Sequence, residues 1–278
     1  MRLGDKELDL SQPQVMAIIN LTDDSFFEGS RCVSDEVAAE RVRCAIEQGA
    51  SIVDVGGYSS RPGADDISTE EEWQRVKRGL KALRSVSADI AVSVDTFRSE
   101  VARRALEEFG PLIINDISAG EADENMIDVV ARYDVPYVAM YMRGTPQTMQ
   151  SLTDYSEGIV EATCRYFESR ILDLRARGVN RLILDPGFGF AKSMEQNYEL
   201  LSDLRSLVDM GLPVLVGLSR KSMIYKALGV TPSEALNGTT ALHWEALRQG
   251  ATILRAHDVR EACEVIKLFK HYEKGALQ

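Results

Sequence analysis

The sequence predicts an α/β protein built as a single (β/α)8, or TIM, barrel over residues 1–278. Three observations carry that expectation. Apolar runs rich in Val and Ile recur eight times, each followed by a stretch with helical periodicity. The runs are apolar on both faces, as strands of a parallel sheet covered by helices are. The length of 278 residues suits eight such units, since a barrel of this type takes about 250. An open doubly wound sheet is the alternative, weakened because no GxGxxG follows the first strand. No linker or low-complexity tract divides the chain, which is read as one domain.

In chain order the strands are VMAII (15–19), IVDV (52–55), AVSV (91–94), LIIN (112–115), YVAMYM (137–142), LILD (182–185), VLVGLS (214–219) and ILRAH (253–257). Between the first two, Val37, Ala38, Val42, Ala45 and Ile46 fall on one helical face. Ser34 and Asp35 offer N-caps there, and Gly49 suits the stop. In residues 68–86, Thr69 is the expected cap, and Glu70 to Glu72 complement the helix dipole.

Composition narrows the function classes. A hydrophobic fraction of 45% and a charged fraction of 27% are those of a globular chain with a sizeable core. The net charge of -11 argues against nucleic acid or an anionic membrane as the main partner, while leaving room for a local basic pocket. Cys32, Cys44, Cys164 and Cys263 are scattered, with no CxxC and no Cys/His cluster. That pattern reads as reduced thiols of a cytoplasmic protein, not a disulfide framework or zinc site. The first residues carry charges throughout, and no apolar run approaches the roughly 18 residues of a membrane span.

In such a barrel, chemistry sits where the strands end. Strand one ends in Asn20, strand three in Asp95, strand four in Asn115 and Asp116, and strand six in Asp185. Strand seven runs into SRKS, which contains Lys221, and strand eight ends in Arg255 and His257. One such residue is a turn former by default, a lone histidine an ordinary surface residue, and a lone lysine a solvated charge. So many on one rim point to a ligand instead. Asp95, Asn115, Asp185 and Lys221 suit a flat ligand with several ring N–H groups and a carbonyl. Arg255 and His257 share one strand face, and with Asn20 they suit a phosphate.

These motifs resemble those of the dihydropteroate synthase family. The carriers are INLTDDSFFEGS, DVGGYSSRPGA, SVDTFRSEVA, INDIS, MYMRGTPQTMQ, LILDPGFGFAK, LVGLSRKSMI and ILRAHDV, in that order along the chain. The resemblance implies condensation of 6-hydroxymethyl-7,8-dihydropterin pyrophosphate with 4-aminobenzoate, with Mg2+ as cofactor, in a cytoplasmic homodimer that is a sulfonamide target. It implies that Asp95, Asn115, Asp185, Lys221 and Arg255 hold the pterin, with Asp95, Lys221 and Arg255 catalytic. Asn20, Arg255 and His257 would take the pyrophosphate, Asn20 also facing the metal. Asp24, Phe26, Ser60, Arg61, Pro62, Lys221 and Ser222 would shape the aminobenzoate site.

The chain departs from the family pattern at Asp23, where a proline is usual, at Tyr58 for a carboxylate and at Ser60 for a threonine. It also departs at Tyr141 and Arg143, which are expected near the pterin mouth. Two other classes share parts of the pattern: a corrinoid-linked methyltransferase with a pterin pocket, and an inactive pterin-binding homologue. The first has no need of SSRPG or RAHD, and the second has no need of an anion-binding set.

Overall fold

The computed structural model describes residues 1–3, 6–21, 35–60 and 65–276. The chain begins with a small antiparallel pair, β1 (Arg2–Leu3) and β2 (Lys6–Glu7), where the sequence reading placed no element. There follow β3 (Gln14–Asn20), α1 (Asp35–Glu47), β4 (Ile52–Gly56), α2 (Thr69–Val86), β5 (Ala91–Asp95), α3 (Ser99–Phe109), β6 (Ile113–Asp116) and α4 (Asn125–Tyr133). The second half holds β7 (Tyr137–Met140), α5 (Ile159–Ala176), β8 (Leu182–Asp185), α6 (Met194–Ser202), α7 (Arg205–Val208) and β9 (Leu215–Val216). It ends with α8 (Ser222–Leu228), α9 (Leu236–Gln249), β10 (Ile253–Ala256) and α10 (Val259–Ala276).

β3 to β10 form one parallel sheet in the order β8-β7-β6-β5-β4-β3-β10-β9. A parallel bridge between Leu184 and Val214 brings its two ends together, so the sheet closes as the expected (β/α)8 barrel. Strand seven is much shorter than its apolar run. Only Leu215 and Val216 pair as a strand, because the chain turns from Leu218 to Lys221, with Arg220 in the left-handed region at φ 56°. The cap of α2 is Ser68, not Thr69: the Ser68 hydroxyl accepts the Glu71 N–H at 3.1 Å, and Thr69 is already helical. On α1, Ala38, Val42 and Ala45 are buried as the periodicity requires, but Val37 lies at the edge of that face, 43% exposed.

The strands present alternate residues to the helices and to the barrel interior. Outward residues such as Val15, Val53, Val55, Val94 and Ile114 join the main core with Trp73, Leu80 and Phe167 from the helices. The first inward residues are Met16, Ile52, Ile113, Val138, Ile183, Leu215 and Ile253, with Ala91 against them. Leu3 of β1 and Leu8, just after β2, close this cluster from below. Each such buried side chain contributes about 1.5–3 kcal/mol relative to exposure. One end of the barrel is thus sealed and apolar.

Candidate active site

Two residues further along each strand the interior changes character. The inward positions are now Ile18, Asp54, Ser93, Asn115, Met140, Asp185, Gly217 and Arg255. Register then places Asn20, Gly56, Asp95 and Asn115 side by side across β3 to β6. Gly56 matters in this row: a Cβ there would stand 3.1 Å from the Asn20 Oδ1 and 3.5 Å from the Asp95 Cβ. Its absence lets the amide and the carboxylate lean over one strand.

Arg255 is the hub. Its Nε donates to Asp54 Oδ2 at 2.7 Å, and its terminal nitrogen donates to Asp95 Oδ2 at 2.6 Å. The same Asp54 oxygen accepts from the Asn115 side-chain amide at 3.2 Å. β4, β5, β6 and β10 are therefore joined through one guanidinium and one fully buried carboxylate. Burial works against the Arg255 charge, but Asp54 and Asp95 outweigh it and hold its pKa above the ordinary value. Burial also raises Asp95 to about 7, with Arg255 opposing and Asp54 and Glu72 reinforcing the rise. Among the described residues, the buried Asp54 Oδ1 and Ser93 Oγ have no hydrogen-bond partner, which marks this level as one suited to a polar ligand.

The LDPGFGFAK segment builds the opposite wall. Asp185, buried at the end of β8, accepts the Gly187 N–H at 2.8 Å. Gly187 is obligatory: its φ is 69°, and a Cβ would lie 2.1 Å from the Tyr141 carbonyl oxygen. Lys221, immediately before α8, donates to the Phe188 carbonyl, and its ammonium lies 4.9 Å from the Phe190 ring centre. Lys192 ties the segment from within, donating to the Gly187 and Phe190 carbonyls at 3.1 Å each. Burial lowers Lys221 to about 8 and Lys192 to about 7, with Asp185 opposing both shifts. Burial raises Asp185 in turn, against the pull of Lys221. Beside these charges Ile117, Met140, Met142, Met149 and Ala191 form an apolar patch with Phe97 and Phe190 packed on it. The mouth therefore pairs charged hydrogen-bonding edges with an apolar face, the arrangement that grips a flat polar ring.

Of the residues singled out in the sequence, Asp95, Asn115 and Arg255 meet through Asp54, while Asp185 and Lys221 meet on the Gly187–Phe188 backbone. Asn20 leans over Gly56 towards Asp95, and His257 stands exposed at the rim with its backbone N–H on Ser219 Oγ at 3.2 Å. Ser60 and Ser222 are half-buried. Asp23, Asp24, Phe26, Cys32, Arg61 and Pro62 lie outside the described residues. Tyr141 and Arg143 turn away from the mouth: Tyr141 packs on Tyr166 at 4.5 Å under α5, and the Arg143 guanidinium covers Tyr155 at 4.9 Å. Alternation explains this, since Met140 and Met142 take the inward positions on either side of Tyr141. The sequence reading missed Asp54 and Lys192. A carboxylate inside the apolar run IVDV was the available signal for the first.

Similarity to known proteins agrees with this arrangement. Residues 16–257 match the family described as pterin binding enzyme. The chain is 42% identical over 263 residues to the dihydropteroate synthase of Escherichia coli (strain K12), covering 94% of this chain and 92% of that protein. It superposes on a Yersinia pestis dihydropteroate synthase in complex with a sulfonamide drug, with TM-score 0.92, 36% identity and 99% of each chain covered. It also superposes on a Xanthomonas albilineans dihydropteroate synthase in complex with 7,8-dihydropteroate, with TM-score 0.85, 34% identity, and 96% and 95% of the two chains covered.

Proposed function

The chain belongs to the pterin-binding enzymes, and within them to the dihydropteroate synthases, and from that premise we propose how its own residues divide the reaction. It is a transferase of folate biosynthesis that condenses 6-hydroxymethyl-7,8-dihydropterin pyrophosphate with 4-aminobenzoate, giving 7,8-dihydropteroate and pyrophosphate. The observation that carries the assignment is the Arg255 guanidinium held between Asp54 and Asp95, with Asn115 on the same carboxylate.

Asp95, Asn115 and Asp185 take the ring N–H and amino groups of the pterin, and Lys221 donates to its carbonyl. Arg255, planar and fixed, stacks on the ring and faces the leaving group, where Asn20 and His257 complete the pyrophosphate contacts. The methylene C–O bond breaks, its electron pair leaving with pyrophosphate. The positive charge spreads into the electron-rich dihydropterin, where the Asp95 carboxylate faces it in a water-poor site. The amine lone pair of 4-aminobenzoate then closes the C–N bond, and the surplus proton passes to solvent. This SN1-like course suits a weak aniline nucleophile and needs no covalent enzyme intermediate.

Asn20 offers an amide oxygen, a hard donor of the kind Mg2+ takes. Among the described residues no three His, Cys, Asp or Glu side chains gather as a metal site. When bound, Mg2+ supplies charge neutralisation of the leaving pyrophosphate. Ser60, Lys221 and Ser222, with Asp24, Phe26, Arg61 and Pro62, are proposed for the aminobenzoate side, the position for which a sulfonamide competes.

We further propose a single domain, a cytoplasmic location and a homodimer. No helix among the described residues is long and apolar enough to cross a membrane. Leu268 and Tyr272 on α10 are 64% and 56% exposed, Tyr272 meets Trp244 of α9 at 5.5 Å, and this apolar face is offered to a second copy. The deciding experiment is incubation with the dihydropterin pyrophosphate, Mg2+ and 4-aminobenzoate, with chromatographic detection of dihydropteroate. Each component is left out in turn. Failure to form product with all three present contradicts the reading.

A further inference from the structure

We propose that Arg98 is a positioning residue for the 4-aminobenzoate side of the site: one guanidinium, anchored on a buried glutamate, holds both feet of the segment between Tyr58 and Asp66. The inference rests on the reaction assigned above. It begins with Glu72, which the sequence places among three dipole-complementing acids and the structure turns fully inside. A buried carboxylate needs donors, and Glu72 finds two: the Thr96 hydroxyl at 2.5 Å and the Arg98 guanidinium at 2.9 Å. Burial still raises its pKa, with Thr96 and Arg98 opposing.

Arg98 then reaches outward. Its second terminal nitrogen donates to Asp66 at 3.1 Å, on the C-terminal side of the segment. Its plane covers the Tyr58 ring at 5.3 Å, on the N-terminal side, and the Phe97 ring at 5.2 Å. Tyr58 and Phe97 themselves meet edge-to-face at 5.0 Å. Tyr58 also accepts from Gln147, beyond β7, at 3.3 Å. Three rim connections are thus tied to one arginine that stands three residues after Asp95. A fork serves here where an ammonium does not, because two carboxylates and a ring face must be met at once. Tyr58, a departure from the family pattern, acquires a role: its ring supplies the face under the guanidinium.

The test separates positioning from folding. Arg98→Lys keeps the charge and a partner for Glu72 but loses the fork, and Tyr58→Leu and Asp66→Asn alter only the feet. Each is expected to raise the KM for 4-aminobenzoate, by about 5- to 20-fold for Arg98→Lys and about 3- to 10-fold for Tyr58→Leu. For all three variants, kcat and the calorimetric Kd for the dihydropterin pyrophosphate stay within about twofold of wild type. Tyr58→Phe, which keeps the ring, is expected to restore the wild-type KM. A KM for 4-aminobenzoate within twofold of wild type in Arg98→Lys and Tyr58→Leu overturns the proposal, as does an equal loss towards both substrates. Absence of product from the wild-type enzyme speaks against the reaction assignment instead, so the two failures are distinguishable.

Discussion

On β4, β6, β8 and β10, two inward positions only two residues apart behave in opposite ways. Ile52, Ile113, Ile183 and Ile253 fill a sealed apolar cluster, while Asp54, Asn115, Asp185 and Arg255 line a charged mouth. The backbone conformation is the same at both levels, and so is the parity. What differs is what closes over them. The lower residues are covered by Leu3 and Leu8 of the N-terminal segment, so they optimise burial. The upper ones keep carboxylates, and burial raises Asp95 to about 7, a cost that Arg255 opposes from within the barrel. Stability and chemistry are stacked along one strand instead of being segregated between domains.

The largest expected effect is at the mouth. Asp95→Asn is expected to retain most of the pterin affinity while lowering turnover by about 10²–10³, the scale of one preorganised electrostatic stabiliser. Steady-state rates paired with pterin titration check this, and turnover within a few-fold of wild type removes Asp95 from the cation's side. Next comes the division of the rim. His257→Ala is expected to weaken the pyrophosphate ester by about 10- to 150-fold, the loss of a charge-assisted hydrogen bond. It should leave 6-hydroxymethylpterin nearly unaffected, whereas Arg255→Ala weakens both. Equal losses for the two ligands in His257→Ala would refute the phosphate role of His257.

A smaller effect follows from the titrations. The reaction uses Asp95 deprotonated and Lys221 protonated, and burial puts them at about 7 and about 8. The value of kcat/KM should therefore fall as pH drops below the Asp95 value and again as it rises above the Lys221 value, by up to about tenfold per pH unit. Asp95→Asn should abolish the acid limb alone, and an acid limb that persists in that variant assigns it to another group. The smallest effect belongs to the sealed layer. Ile113→Val is expected to cost about 0.5–1.5 kcal/mol in urea unfolding, with both KM values unchanged. If that substitution alters KM, the two levels are coupled and the comparison breaks.

Much of this site was legible before any coordinates. Asp95, Asn115, Asp185, Lys221 and Arg255 were read from strand ends, because a barrel delivers those residues to one rim whatever its helices do. Asp54 escaped because it sits one turn of the pleat below the rim, inside an apolar run, where only its pairing with Arg255 explains it. Lys192 escaped because its partners are backbone carbonyls of its own segment, which carry no signature in side-chain type. In the sequence Glu72 counts only as one of three acids complementing the helix dipole, and the approach of Thr96 and Arg98 from β5's end makes it a buried anchor. The MYMRGTP motif leads one to expect Tyr141 at the mouth, yet the parity of Met140 and Met142 sends it under α5.

By itself the sequence determined the alternation of strands and helices, the count of eight units and the rim on which charge collects, whereas closure is decided by the Leu184–Val214 bridge. Those follow from local rules: period two along strands, the helical period between them, and polar residues where strands stop. The tertiary structure alone decided which charges meet. Arg255 lies 201 residues from Asp54 and 160 from Asp95 in sequence, yet it bonds both. It also decided that the N-terminal segment seals the lower end through Leu3 and Leu8. The physical reason is that register and barrel closure set distances between strands remote in sequence, and a hydrogen bond or a desolvation cost depends on those distances rather than on residue type.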